Sequence, residues 1–551
     1  MATADDAAAA RSRQSSDSSL TTFYTSVEIS DRDGGGEVTT ATSTAIHLLN
    51  SMLGAGTSRR QPAQKPVPIP PPRHLALLAT ITVHPLHTTR AEKLEHLDVP
   101  GRALAYLRSV LAAVGPIQAD FRTAFQFREP SRRRRAPAAQ DSESDQMSVG
   151  SDVEAGLMRC RMANEASVWE QGKDFWDTVG WAFRCSTAMP HRWRYWRAWL
   201  EFMLDVLEAD WAERERIDEE ALAARGGGEK EKEAPTAARK ESMMAMYMGQ
   251  THINSIVKAL LVYGEAATAA SYSEVFEKEH RGPRRPSLSV VGKRKRDRDR
   301  DRDRDRELDV ANGQFGDYLD DEGLSSGISE PPTPRKPRAK RDGDVLGAGM
   351  AESVGLRLRL FRLVSAAVFT QERRHGELGL LYAGFAASVA ALPVDVFAAV
   401  ASQRPNALLL ETHITLTKQL FDKLLPLAAV RSPQRVDPET HRIGGLSAAI
   451  LEQCYACHAA VGAGEAEPNA KLSLLVESAV QLLWACGGLA GCADGLAQAV
   501  ERGIAAREDK VGRRTGRGRG RAEPPEGNAM EVLRLSAERL RVLMGILRSE
   551  D

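Results

Sequence analysis

The sequence predicts an all-α protein, an irregular helical repeat of the HEAT-like α-solenoid kind, with long disordered inserts and a disordered N-terminal tail. Three observations lead there. Apolar residues recur at helical spacing in segment after segment. Strand-like alternation is rare, and Pro or Gly breaks separate the helical stretches without a strand–helix rhythm. The tracts between them are too polar to offset the entropy of ordering. The solenoid reading rests on stacked helical pairs, since no fixed-period repeat accompanies them.

A chain of 551 residues has room for roughly two to four domains. Its 74 Lys and Arg balance 74 Asp and Glu, so any electrostatic case for nucleic acid must be local. Six cysteines in this length are far from a disulfide framework and fit a reducing compartment. The opening MATADDAAAARSRQSS carries acids and no apolar core, so neither a secretory nor a mitochondrial leader is expected. The longest uncharged run, Leu378–Val394, is short for a bilayer span and reads as a buried helix, with no membrane partner.

In chain order, residues 1–72 read as a Pro/Ser/Thr-rich disordered tail with a short helix around Ala45–Leu53. Its Pro68-x-x-Pro71-x-Arg73 tract matches a polyproline ligand pattern, one that proline-rich linkers also match. Residues 73–127 form a helical segment in which Leu104, Leu107, Leu111 and Val114 keep helical register up to Gly115-Pro116. Within it Ala79–Val83, ATITV, alternates like a strand. Residues 128–152 are a charged linker, 153–264 a Trp-rich helical region, and 265–344 a disordered basic and mixed-charge insert. Residues 345–509 supply Ala- and Leu-rich helices broken at Pro393, Pro405 and Pro426. Gly355–Val364 alternates locally, but Leu356, Leu360, Val364 and Val368 continue at i+4, so its length favours helix. A Gly/Arg linker over 510–527 precedes a C-terminal helix over 528–551, with Val532, Leu533, Leu535, Leu540, Leu543 and Leu547 on its apolar face.

The densest aromatic stretch is Met189–Trp211, MPHRWRYWRAWLEFMLDVLEADW. At about 100° per residue Trp193, Trp196, Leu200, Leu204, Leu207 and Trp211 form one stripe, with Tyr195, Trp199, Phe202 and Val206 beside it. Arg194, Arg197, Glu201, Asp205 and Glu208 fill the remaining sector. So wide an apolar arc predicts a helix packed on two sides. Trp169, Trp176, Val179 and Phe183 predict a preceding helix, and a turn near Cys185–Met189 would fold the two into a hairpin. A stacking platform for single-stranded nucleic acid would need rings and cations on one exposed face. The pattern separates them, so it reads as core.

Cys454–His458, CYACH, has the C-x-x-C-H spacing of c-type haem attachment. It sits in a helical run without an export signal, so no haem is expected. A zinc site would draw on Cys454, Cys457, His458, Cys486 and Cys492, but the second pair is loosely spaced and buried structural thiols are the simpler expectation. His84, His87 and His96 fall close together without a register that gathers all three. His413 lies on the Leu409–Leu416–Leu420–Leu424 stripe and reads as a core histidine. Phosphate-loop, dinucleotide, hydrolase-elbow, zincin and kinase motifs do not occur. The expectation is a non-enzymatic protein with no cofactor.

The basic inserts carry the clearest functional signals. Lys293, Arg294, Lys295 and Arg296 form one cluster, near Arg284 and Arg285. Arg335, Lys336, Arg338, Lys340 and Arg341 form a second. Such runs are read by nuclear import adaptors and by phosphates, so nuclear residence is expected. Between them Asp297–Arg306 alternates charge at every step, similar to mixed-charge tracts of nuclear RNA-processing proteins. Ser287 suits a basophilic kinase and Thr333 a proline-directed one; a phosphate at either would offset the adjacent cluster. Arg517, Arg519 and Arg521 stand on glycine spacers, a pattern for weak nucleic-acid contact. The sequence therefore predicts a nuclear helical scaffold or adaptor for protein partners. The alternatives are a nucleic-acid-associated factor using the Gly/Arg segment, and a zinc-dependent protein using Cys454–Cys492.

Overall fold

The computed structural model describes residues 38–58, 67–91, 93–127, 158, 160–224, 236–249, 251–263, 271–283, 342–371, 376–426, 430–462, 465–489, 493–515 and 525–550. Among them the regular structure is helical, with no strand, and no helix is long and apolar enough to cross a membrane. The longer helices are α1 (Val38–Ser58), α2 (Pro72–Ile81), α3 (Val99–Val114), α4 (Phe175–Ala188), α5 (Pro190–Ala224), α6 (Met243–Met248) and α7 (Ile253–Leu260). They continue as α8 (Asp342–Gln371), α9 (Glu377–Ala391), α10 (Val394–Ala401), α11 (Leu410–Leu424), α12 (Ala466–Ala485), α13 (Ala493–Thr515) and α14 (Pro525–Glu550). One continuous apolar core runs from Ile46 on α1 to Leu547 on α14.

The N-terminal elements show two departures from the sequence reading. Helix α1 extends well beyond Ala45–Leu53 and buries Ile46, Leu49 and Leu53 against α3. The strand-like ATITV is the end of α2, where burial of Leu75, Leu78, Ala79 and Ile81 outweighs β-branched preference. Thr80 fits a helix because its Oγ1 donates to the Ala76 carbonyl at 3.0 Å and accepts from the Val168 amide at 3.3 Å.

The tryptophan stretch is core. Trp196, Trp199, Phe202 and Val206 are fully buried, and α5 packs against α4 after a single break at Met189. Pro190 opens α5, where its missing N–H is harmless. Each buried aromatic contributes about 2–3 kcal/mol by area alone. Trp169 belongs to a separate turn, Val168–Gln171, because Asp174 starts a new helix by accepting the Asp177 amide at 2.8 Å.

The largest correction lies in the predicted disordered insert, where residues 271–283 are an ordered strap across α4 and α5. Tyr272, Val275 and Phe276 are buried, and the Tyr272 ring fills the space over Gly180, where a Cβ would stand 2.3 Å from it. Glu279 is wholly enclosed and pairs with Arg192, also fully buried. Its Oε2 accepts from Arg192 Nε at 2.8 Å, Trp196 Nε1 at 2.9 Å and Trp181 Nε1 at 3.3 Å. Its Oε1 accepts the Phe276 amide at 2.8 Å. Arg192 also donates to the Val83 carbonyl and to Thr88 Oγ1, both at 2.6 Å. This one pair ties the strap, α5 and the segment after α2 together.

The same device recurs. Arg357 on α8 is buried and donates to the Leu260 carbonyl at 2.6 Å, closing the end of α7, while its guanidinium lies 4.1 Å over Phe183. In the C-terminal half α12 is buried at every position from Asn469 to Val480 and touches α10, α11, α13 and α14. Two of its polar residues bind neighbouring helices: Lys471 Nζ donates to the Ala390 carbonyl at 3.0 Å and Ser478 Oγ to the Ala401 carbonyl at 3.0 Å. Glu477 accepts from Ser536 and Arg539 of α14.

Glu279→Ala should destabilise the protein by about 3–5 kcal/mol, because it strands a buried guanidinium and two indole N–H groups. Trp196→Ala should lose a similar ~3–5 kcal/mol through the cavity it leaves. Arg194→Ala, at an exposed position, should stay within about 0.5 kcal/mol. Urea denaturation of the three variants checks this, and a Glu279→Ala melt matching wild type would mean that the strap is not docked.

Candidate functional site

At the junction of α4, α5 and α8 two backbones come together. A Cβ on Gly349 would stand 1.9 Å from the Ser186 carbonyl oxygen, so glycine is what lets α8 cross the end of α4. Beside this crossing the helices diverge and leave a groove of about 500 Å³. Pro190, Trp193, Arg194, Arg197, Ala198 and Glu201 of α5 line one wall, and Gly349 and Glu352 of α8 the other. The groove takes its residues from the rim of the tryptophan helix, while Trp196, Trp199 and Phe202 face inward.

Its charges are held in place. Trp193 Nε1 and Arg197 Nη1 both donate to Glu352 Oε2, at 3.0 and 3.2 Å. Arg197 Nε donates to Glu201 Oε1 at 2.9 Å, and that hydrogen bond above all keeps the guanidinium higher than its ordinary range. Arg108 Nη2 stands 3.8 Å from the other Glu201 oxygen. Arg194 is exposed, lies 4.4 Å over the Tyr195 ring and donates to its hydroxyl. A concave site with an indole edge, a stacked arginine and fixed carboxylates is equipped to recognise a ligand, since Trp, Tyr and Arg dominate interface energetics.

The cysteine cluster has a different character. The helical run through CYACH ends inside the motif: a turn over Ala448–Ile450 passes into a π-helical turn over Leu451–Ala456, and Cys457 closes it. Both thiols thus sit at the negative end of a helix. Burial pushes Cys454 up to about 11 and raises Cys457, which disfavours the thiolates a metal would need. Burial lowers His458. Arg507 of α13, fully buried, donates to the carbonyls of Ala456 and His458 at 3.3 and 3.1 Å and so terminates the turn. Cys486 is exposed at the end of α12, and Cys492 lies outside the described residues. No three His, Cys, Asp or Glu side chains among the described residues are grouped to hold a metal ion.

The histidines after α2 are divided in the same way. His87 and His96 approach with ring centroids 5.3 Å apart, whereas His84 packs edge-on to Phe276 of the strap at 4.7 Å and its Nδ1 accepts the Leu86 amide. Burial pulls His84 down to about 3 and His87 to about 4. His413, beside a small cavity with Asn406 and Leu416, is lowered to about 4, again chiefly by burial. The import clusters (Lys293–Arg296 and Arg335–Arg341), Ser287, Thr333, Arg517, Arg519 and Arg521 all lie outside the described residues. Arg192, Arg357 and Arg507, which the sequence reading did not single out, are the interior cations on which the packing turns.

Burial that keeps His84 and His87 neutral predicts a fold that loses stability in acid. The unfolded chain binds protons near pH 6.5 at His84 and His87, while the folded chain resists them until about 3 and 4. Their contribution is complete above pH 6.5 and falls as the pH drops toward those values, by at most about 1.4 kcal/mol per pH unit for each. Melting temperature should therefore fall between pH 7 and 5. His84→Asn, which keeps an acceptor for the Leu86 amide, should flatten that slope; an equal slope in the variant would clear His84 of the effect.

No protein-family description matches the chain, and no curated protein matches it either, so its function has to be read from this geometry.

Proposed function

We propose that the chain is a nuclear, non-enzymatic helical scaffold or adaptor that docks a partner protein in the groove between α4, α5 and α8. The groove carries this reading: it is open, it is lined by Trp193, Arg194 and Arg197, and it stands on rigid helices. The polar interior supports the same view, because Arg192, Glu279, Arg357, Lys471 and Ser478 are engaged in holding helices together. In this reading the helical pairs stack as an irregular HEAT-like array, with α4 on α5 as one such pair. Lys293–Arg296 and Arg335–Arg341 serve an import adaptor, and phosphate at Ser287 or Thr333 tunes that recognition.

Ala198→Trp fills the groove from a half-buried position at the edge of the core, and its melt is compared with wild type before binding is read. Affinity purification from nuclease-treated extract should recover protein partners with wild type and lose at least one with Ala198→Trp. Complete loss of wild-type partners on nuclease treatment would favour the nucleic-acid reading, in which Arg517, Arg519 and Arg521 make the contact. Replacing Lys293–Arg296 and Arg335–Arg341 by Ala and Ser should shift a tagged protein toward the cytoplasm; unchanged nuclear retention would rule out their import role.

A further inference from the structure

We propose that the groove takes an acidic peptide segment, with a carboxylate of the peptide on Arg194 and the apolar side chain beside it between Pro190, Trp193 and Ala198. This rests on the docking reading above and names the partner's chemistry.

The charges around the groove decide the class. Two carboxylates enter it, Glu201 and Glu352, and both are already engaged. Arg197 bridges them at 2.9 and 3.2 Å, and Arg108 stands 3.8 Å from Glu201. Of the four charged groups that line the groove, Arg197 is thus bound to both carboxylates, and the remaining cation is Arg194. Among the described residues it has no carboxylate within ion-pairing distance; its bond goes to the neutral Tyr195 hydroxyl. The lining charges balance overall, but the exposed edge presents Arg194, a cation that no carboxylate meets among the described residues.

Arg194 is also prepared for a carboxylate. Its guanidinium carbon lies 4.4 Å from the centre of the Tyr195 ring and its Nη2 donates to that ring's hydroxyl, so two contacts hold the group. A held fork loses little freedom when a carboxylate closes on two of its N–H groups, and a planar carboxylate matches that spacing. A basic peptide would be repelled by Arg194 and would find the two glutamates occupied. Single-stranded nucleic acid would want rings to stack on, whereas Trp196 and Trp199 are fully buried and Trp193 is bonded to Glu352.

The test uses the full chain and two fluorescein-labelled peptides, Glu-Leu-Glu-Glu-Leu and Lys-Leu-Lys-Lys-Leu, read by fluorescence polarisation. Wild type should bind the acidic peptide at least tenfold more tightly than the basic one. Arg194→Glu and Ala198→Trp should each weaken the acidic peptide at least tenfold. Arg194→Ala, with its melt monitored by circular dichroism, repeats the measurement should either variant misfold. Equal binding of both peptides, an unaffected Arg194→Glu, or displacement of the acidic peptide by a single-stranded oligonucleotide would overturn the acidic-peptide assignment. If Ala198→Trp still removes a cellular partner in that case, the docking reading survives without it. If Ala198→Trp changes neither peptide nor partner binding, both fall.

Discussion

Helix after helix in this protein ends against a donor that another part of the chain has buried. The last carbonyls of a helix have no partner within it, and burying them bare is costly. Here Arg192 reaches the Val83 carbonyl just past α2, Arg357 the end of α7, and Lys471 the end of α9. Ser478 closes α10 and Arg507 closes the π-helical turn. A cation suits that place twice over, as donor and as counter-charge to the negative end of the helix dipole. Short helices can therefore stop inside the molecule, and the core continues past their ends from Ile46 to Leu547.

These cations differ in how their charge is met. Arg192 faces a buried carboxylate, and the Arg192–Glu279 pair draws in two indole N–H groups as well. Arg357 is served by carbonyl and hydroxyl oxygens and by the Phe183 ring. Burial pulls it to about 9 and Arg507 to about 10, so both stay protonated at neutral pH. Acids on α5 work in the opposite sense at helix starts. Asp210 accepts the Met243 amide at 2.8 Å at the head of α6, and Asp218 accepts the amides of Ala238 and Arg239. One long helix thus positions the chain that returns to it by charged groups on its buried side.

Much of this was legible in the chain, and the unread part has a consistent cause. Helical periodicity located α3, α4, α5, α8 and α14 because their apolar residues recur on one face, and the breadth of the Trp193–Trp211 arc announced burial on two sides. Periodicity assigns charged residues to the surface by default, which hid the interior cations. Yet Arg192 falls on the stripe of Trp196, Trp199 and Met203, and Arg507 on that of Val500, Ile504 and Val511. An arginine at a core position was the available sign. The strap was missed for another reason: Tyr272, Val275 and Phe276 are few, and the basic tract that follows dominates the composition of the whole segment. The groove could not be read at all, since it exists only where Gly349 brings α8 onto α4.

The same long helix thus separates two tasks along its circumference. Its inner rings and Arg192 hold the core, and its rim supplies the groove with Trp193, Arg194 and Arg197. The Arg192–Glu279 clamp makes residues 271–283 part of the folded body. Hydrogen exchange read by mass spectrometry on the intact protein tests it directly. Amides of the strap, Phe276 above all, should be protected to a degree approaching those of α4 and α5. Exchange of the strap at the rate of a free peptide, while α5 stays protected, would mean that the clamp does not hold it to the body.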